Sequence, residues 1–220
     1  MSETLDRRRD AIVVVDLQPD FMPGGALAVP GGDEVVRPIA ALIEGRHVQT
    51  VVATQDWHPA GHVSFASSHE GKEPFDRIAL HGREQVLWPD HCVQGTPGAV
   101  LHAELPLAPV LAFVRKGEDP GIDSYSALWN NYGPGGERRP TGLGGYLQAR
   151  GIQRLVICGL ALDYCVAWTA RDAVAMGFDV VVPRDLSRAV DPGRRDETID
   201  ELRGEGVVVT TASELGLALS

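Results

Sequence analysis

The 220-residue chain is short of several things, and each shortage excludes a class of protein. It has three cysteines, which cannot all pair with one another, so a disulfide framework is not expected. It has no long apolar stretch, and its opening "MSETLDRRRD" is polar. A signal peptide or membrane span, each of which needs a continuous apolar segment, is therefore not expected, and the cytoplasm is the default compartment. Basic charge is also scarce: 20 Lys and Arg against 30 Asp and Glu give a net charge of −10. The short run Arg7-Arg8-Arg9 is the one basic cluster, which argues against nucleic acid as the main partner. Internal repeats, low-complexity tracts and linkers are lacking too, so residues 1–220 read as one domain long enough to bury a sizeable core.

What is present is an alternation of short β-rich runs and helical patterns. "AIVVVD" (11–16), "HVQTVVATQD", "APVLAFVRKG", "RLVICGL", "FDVVVPRD" and "GVVVTT" read as six strands, the first a continuous apolar run suited to burial on both faces. Between the first two, Val35, Val36, Ile39, Leu42 and Ile43 fall at helical spacing, with Asp33 as the expected N-cap and Gly45 as the stop. Further helices are expected around Gly142–Arg150, from Cys165 with Val166, Ala170, Ala173 and Val174 inward, and near Arg194–Arg203. This alternation predicts an α/β fold with a six-stranded, mostly parallel sheet and helices on both faces. Residues 55–105 and 117–140 break the rhythm, and loops of that length in a compact domain are functional or disordered.

Open parallel sheets bind ligands beyond the carboxyl ends of their strands. Four expected strand ends carry reactive groups: Asp16 after the first, Asp56 and His58 after the second, Lys116 after the third and Cys165 after the fourth. Cys165 has two readings. Free cysteine is commonly buried as an apolar residue. At a helix start, unpaired N–H groups and the dipole would instead stabilise a thiolate and an adjacent oxyanion. Asp16 is either a loop anchor or, with its pKa raised by burial, a base for the thiol. Lys116 is either a solvated lysine or the cation that holds the charge moved by that proton transfer. Cys158, in an apolar strand, reads as core, and Cys92 as structural.

Asp56 and His58 alternate along an extended segment, so both side chains point one way. His91 in "WPDHC" joins them from the same long loop, and His62 lies four residues beyond His58. One carboxylate with two imidazoles suits a divalent ion of the Zn, Fe or Mn type. His47, His69, His81 and His102 read as surface groups. Phe21, Trp57 and Trp88 are loop packing or walls for a flat aromatic substrate.

At these residues the chain resembles nicotinamidases of the isochorismatase-like hydrolase superfamily. The resemblance runs through "VVDLQPDFMPGGALAVPGGDEVV", "TQDWHPAGHVSF", "LWPDHCVQGTPGA", "RKGEDPGIDSYSA" and "GLALDYCVAWTARDA" in order. It implies a three-layer α/β/α fold and hydrolysis of nicotinamide, or its analogue pyrazinamide, through a cysteine thioester, in NAD salvage. It further implies a catalytic triad of Asp16, Lys116 and Cys165, and metal ligands Asp56, His58 and His91, with His62 a ligand in only some members. Zn²⁺ is the first choice of ion, with Fe²⁺ or Mn²⁺ as alternatives. A cis peptide at Leu160–Ala161 is implied, with the N–H groups of Ala161 and Cys165 as oxyanion hole. Phe21, Trp88 and Tyr125 are the expected substrate contacts, and the chain would act as a monomer or homo-oligomer. Departures occur at Pro19, where the family often has Asn, and at Leu162, where it often has Thr. "SALWNNYGPGG" also departs from the commoner continuation after "DSYSA". A related amidase for ureido or carbamoyl substrates would keep the triad but generally lacks the metal set. An isochorismatase would lack the nucleophile. A non-catalytic binding module would not need Asp16, Lys116 and Cys165 together.

Overall fold

The sheet is built around its most apolar strand. In the computed structural model, which describes residues 5–217, β1 (Asp10–Val15) is buried along its whole length. It lies between β2 (Thr50–Asp56) and β4 (Arg154–Leu160) and is parallel to both. β3 (Ala112–Lys116) flanks β2, and β5 (Asp179–Pro183) and β6 (Val208–Thr210) extend the sheet beyond β4. The six expected strands thus stand in the order β3-β2-β1-β4-β5-β6, all parallel. A two-residue strand that the alternation did not predict, Ser187–Arg188, pairs with the end of β4 where β5 has diverged.

Residue alternation along each strand divides the core into two layers. Ile12 and Val14 of β1 and Val156, Cys158 and Leu160 of β4 pack with Ile39, Leu42 and Ile43 of helix α1 (Val36–Glu44). Ala11, Val13 and Val15, with Leu155 and Ile157, face the other way. They meet Leu143 and Leu147 of α2 (Leu143–Ala149), Ala170 and Ala173 of α3 (Ala167–Ala175), and Ile199 and Leu202 of α4 (Arg195–Gly204). The result is the three-layer α/β/α arrangement, in which each fully buried aliphatic side chain contributes roughly 1.5–3 kcal/mol of transfer free energy. All five apolar positions expected of the first helix are buried. Asp33, however, is not its N-cap: it lies inside a 3₁₀ turn, Gly32–Val35, that leads into α1 without a side-chain cap.

The strand order reverses between β1 and β4. The connection to β2 runs by α1 on one face, and the return to β4 runs by α2 on the other, leaving a crevice at the carboxyl ends of β1 and β4. Backbone approach there is close: Gly159 has φ +114°, and a Cβ on it would lie 2.1 Å from the Val15 carbonyl oxygen. Only glycine fits. The two irregular segments each carry an antiparallel hairpin, Arg77–Leu80 with Arg83–Val86 and Trp129–Tyr132 with Arg138–Pro140. The second is pinned to α3 by a bidentate pair from Arg138 to Asp172, at 2.6 and 2.7 Å. Among the described residues no helix is long and apolar enough to cross a membrane.

Candidate active site

The topology brings the reactive strand ends together. Asp16 follows β1 with φ 48°, a left-handed conformation that aspartate tolerates better than most residues. The Thr54 hydroxyl on β2 fixes it twice, accepting its N–H at 3.2 Å and donating to Oδ1 at 2.6 Å. Lys116 is the last residue of β3, paired in register with Asp56 on β2. Its flexible stem carries Nζ past β2 to a point 2.9 Å from Asp16 Oδ2 and 3.3 Å from Cys165 Sγ. The same ammonium is hydrogen-bonded to Asp56 Oδ1 and donates to the Ser124 carbonyl at 3.1 Å. All of these residues are buried.

Asp16 Oδ2 makes close ion-pair contact with Lys116 but receives no well-directed hydrogen bond. It is therefore the carboxylate oxygen with a lone pair to spare. Oxygens of Asp16 and Asp56 and the sulfur of Cys165 lie within 4.8 Å of one another. Burial raises the Asp16 pKa, Lys116 pulls it back and Asp56 pushes it up again, for a net rise. Burial would also raise Asp56, but the Lys116 ammonium beside it outweighs that and holds the carboxyl well below the ordinary range. Burial opposes the Lys116 charge, and the two carboxylates overcome it, so the lysine stays protonated.

Cys165 departs from its expected place at the opening of a regular helix. It sits in a π-helical turn, Leu162–Val166, ahead of α3, and not in the first turn of a regular α-helix. Burial pushes its thiol pKa well above the ordinary value, and the downward pull of Lys116 does not offset that. The group at rest is a neutral thiol that needs a base. Cys158 is core, its pKa pushed up to about 12 by burial, and Cys92 is buried under the His91 loop.

The proposed metal ligands also converge. Asp56 Oδ2 lies 3.7 Å from both His58 Nε2 and His91 Nε2. Each ring's other nitrogen, Nδ1, faces a backbone carbonyl, that of Gly117 at 3.0 Å for His58 and that of Pro89 at 2.8 Å for His91. A carbonyl only accepts, so Nδ1 carries the hydrogen in both rings and the Nε2 lone pairs turn toward the carboxylate. Two imidazole lone pairs and a carboxylate oxygen fit a divalent cation. His62 is different. Its Nε2 donates to the carbonyls of Asp119 and Ile122, at 3.0 and 3.3 Å, and its Nδ1 accepts from the Ser64 hydroxyl at 2.8 Å. Both nitrogens are engaged, and the ring lies beside His58, tilted by 39° with centroids 4.4 Å apart.

Between the triad and this donor set lies a pocket lined by Phe21, Trp88, Tyr125, Tyr164, Ala161 and Cys165. The Leu160–Ala161 peptide is cis. Trp88 meets Tyr164 edge-on at 4.7 Å, and Trp88 Nε1 donates to the Tyr125 hydroxyl at 3.3 Å. Trp57 is absent from this wall, because the Arg115 guanidinium covers its ring at 3.9 Å. His47, His69, His81 and His102 are part-exposed and lie outside the pocket.

Several contributors escaped the sequence reading. Thr54 carries no motif, and Ser124 acts through its main chain. Asp123, another pocket-lining residue, accepts from Gln85 at 2.7 Å. Tyr164 and Asp163 had a signal, since both adjoin the nucleophile. Asp163 accepts the N–H groups of Val190 and Asp191 at 2.9 and 3.0 Å and so holds Val190 at the pocket. Leu162 points away from the pocket into the core with α2 and α3, fully buried, so its departure from the usual Thr is a packing change.

The three-layer α/β/α fold thus places a buried Cys-Lys-Asp cluster beside an Asp-His-His set at one sheet edge. A profile of the isochorismatase domain matches residues 10–214, and the chain belongs to that family. Among curated relatives it is 47% identical over 198 residues to the nicotinamidase of Acinetobacter baylyi, covering 90% of each chain. It is 43% identical over 208 residues to that of Escherichia coli, covering 93% of this chain and 95% of the relative. Among solved structures, an Acinetobacter baumannii nicotinamidase/pyrazinamidase superposes with a TM-score of 0.88 at 42% identity, covering 94% and 98% of the two chains. PnC1 from L. infantum in complex with nicotinate gives 0.83 at 39% identity, covering 96% of each. The pyrazinamidase of Pyrococcus horikoshii in complex with zinc gives 0.75 at 33%, covering 92% and 99%.

Proposed function

We propose that this chain hydrolyses nicotinamide to nicotinate and ammonia through a thioester on Cys165, a step suited to NAD salvage. The observation that carries the reading is the Lys116 ammonium, which touches Asp16, Asp56 and Cys165 at once and thereby joins nucleophile, base and the Asp56-His58-His91 set in one pocket. The nicotinamidase relatives and the nicotinate complex support the substrate.

Asp16 takes the thiol proton on Oδ2 as Cys165 Sγ attacks the carboxamide carbon. Lys116 stays charged and offsets the anion that shifts between sulfur and carboxylate. The N–H groups of Ala161 and Cys165 face the oxygen of the tetrahedral intermediate. Asp16 returns the proton to the nitrogen, the C–N bond breaks, and ammonia leaves a thioester. Water then adds with Asp16 again as base, and the C–S bond breaks to release nicotinate and restore the thiol. Phe21, Trp88 and Tyr125 pack about the ring. A divalent ion held by Asp56, His58 and His91, with zinc favoured by the zinc-bound relative, would bind the ring nitrogen and orient the amide. A ureido or carbamoyl amidase needs the triad but not this donor set, which favours the pyridine substrate.

The test is ammonia release from nicotinamide by wild type, by Cys165→Ala and by wild type stripped with a chelator. Wild type should turn over, Cys165→Ala should be inactive, and the stripped enzyme should lose activity with a raised KM and recover on adding Zn²⁺. No release by the wild type refutes the substrate. Full activity in Cys165→Ala refutes the mechanism. Full activity after verified metal removal refutes the orienting role.

A further inference from the structure

Asp20, in the motif "LQPDF", belongs to neither the triad nor the proposed ligand set, yet its carboxylate connects two loops that build the site. It lies in a one-turn 3₁₀ segment, Pro19–Phe21, directly before the pocket residue Phe21. Its Oδ2 accepts the backbone N–H of Cys92 at 2.6 Å, across 72 residues of sequence. Cys92 follows His91 immediately and has φ +47°, a left-handed conformation that a non-glycine residue holds only when its surroundings require it. The main-chain carbonyl of Asp20 also accepts from Leu27, another pocket-lining residue, at 2.9 Å.

Space at the carboxylate is reserved as well. A Cβ on Gly98 would lie 2.2 Å from the Asp20 carboxyl atoms, so the loop that runs from His91 to Ala99 can close over Asp20 only with glycine at that position. Next to this contact, the Phe21 ring lies 5.6 Å from the His91 ring, centroid to centroid. The His91 ring is already set by its Nδ1 against Pro89 O, but that carbonyl is on the same loop and moves with it. Among the described hydrogen bonds, Asp20 Oδ2 to Cys92 is a charge-assisted bond from a side chain of the first loop to the residue beside His91.

We propose that Asp20 is a positioning residue for the metal centre: by clamping the Cys92 N–H it fixes the main chain beside His91 and presents His91 Nε2 to the point shared with Asp56 and His58. The inference rests on the metal reading above. A group that orients a ligand without touching the ion typically changes affinity by about 10–100-fold when it is removed. The clamp has a built-in second probe, because Gly98→Ala should displace the Asp20 carboxylate and damage the centre through it.

The experiment titrates stripped protein with Zn²⁺ against a chromophoric chelator, for wild type, Asp20→Ala, Asp20→Asn, Gly98→Ala and the double variant Asp20→Ala/Gly98→Ala. Circular dichroism confirms that each is folded at the working temperature. Asp20→Ala and Gly98→Ala should each weaken Zn²⁺ binding by about 10-fold or more. Asp20→Asn keeps an acceptor oxygen and should retain most of the affinity. The double variant should bind no worse than Asp20→Ala, since the added methyl group then has no carboxylate to displace. Folded Asp20→Ala and Gly98→Ala proteins with wild-type affinity overturn the inference, as does a double variant whose losses simply add. If Asp20→Ala does not fold, Asp20→Asn and Gly98→Ala decide the matter by the same measurement: Gly98→Ala weakened with Asp20→Asn near wild type supports the clamp, and both at wild type overturn it. Wild type that binds no Zn²⁺ refutes the metal reading itself, an outcome separate from any difference among the variants.

Discussion

Replacing Lys116 with methionine should unbalance the site in a way that can be read in both stability and pH. The substitution keeps an unbranched apolar stem and deletes the ammonium. Two buried carboxylates then lose their cation, one of them 2.9 Å away at Asp16 Oδ2. With an effective dielectric constant of about 20, a unit pair at that distance interacts by about 6 kcal/mol. Methionine is spared the cost of burying the ammonium, which offsets part of the loss. Removing one partner of a buried pair costs about 3–5 kcal/mol net, a large share of a total stability of about 5–15 kcal/mol. With a urea slope near 2 kcal/mol/M, the midpoint should fall by roughly 2 M at neutral pH.

The pH dependence has a definite sign. Burial already raises the Asp16 pKa while Lys116 lowers it, so losing Lys116 raises it further. A carboxyl whose folded pKa exceeds its unfolded value favours the folded state when protonated. As far as Asp16 is concerned, the stability deficit of Lys116→Met is therefore smallest while that carboxyl is protonated in both folded proteins, grows as pH rises from its wild-type folded pKa to its higher folded pKa in the variant, and levels off above that. Urea titrations of both proteins at about pH 4 and about pH 8 measure this. A variant midpoint within about 0.3 M of wild type at the higher pH would refute the account, and so would a deficit independent of pH.

Three other outcomes follow from the same geometry. In the wild type kcat/KM should fall on the acid side as Asp16 is protonated, with a limb above the ordinary carboxyl value of 3.8 because burial dominates that group; a limb at or below 3.8 refutes Asp16 as the base. Gly159→Ala places a methyl group against the Val15 carbonyl at a left-handed φ, and should cost more than about 1–3 kcal/mol in denaturant titration, with kcat lowered because Asp16 and Cys165 follow these two strands. Leu162→Ala, deep in the core beside the nucleophile, should cost about 2–5 kcal/mol of stability while leaving KM for nicotinamide within about twofold; a large KM change would show that Leu162 reaches the substrate.

The parts of this protein legible in its sequence are those governed by short-range rules. Apolar runs such as "AIVVVD" bury on both faces whatever surrounds them, and helical spacing placed Ile39, Leu42 and Ile43 inward. The reactive residues were legible because parallel strands all point the same way, so residues following their carboxyl ends must share one edge of the sheet. The start of α1 was not, since a 3₁₀ turn offered Asp33 a different place.

Tertiary structure alone decided what those residues became. Strand order placed β1 between β2 and β4, and hence Asp16 between Thr54 and Cys165; alternation of strands and helices fits other orders equally well. Burial outweighed the pull toward thiolate that a helix start would exert, because desolvation depends on everything packed around Cys165 and not on its position in a helix. Hydrogen bonds across more than fifty residues separated His62, held by the carbonyls of Asp119 and Ile122, from His58 and His91, whose Nε2 atoms remain turned toward Asp56. The same long-range packing covered Trp57 with Arg115, brought the Ser124 carbonyl to Lys116 and set the Asp20 carboxylate under Cys92. Sequence determines which groups are available at the sheet edge; distance and dielectric, which exist only once the chain is folded, determine which of them can act.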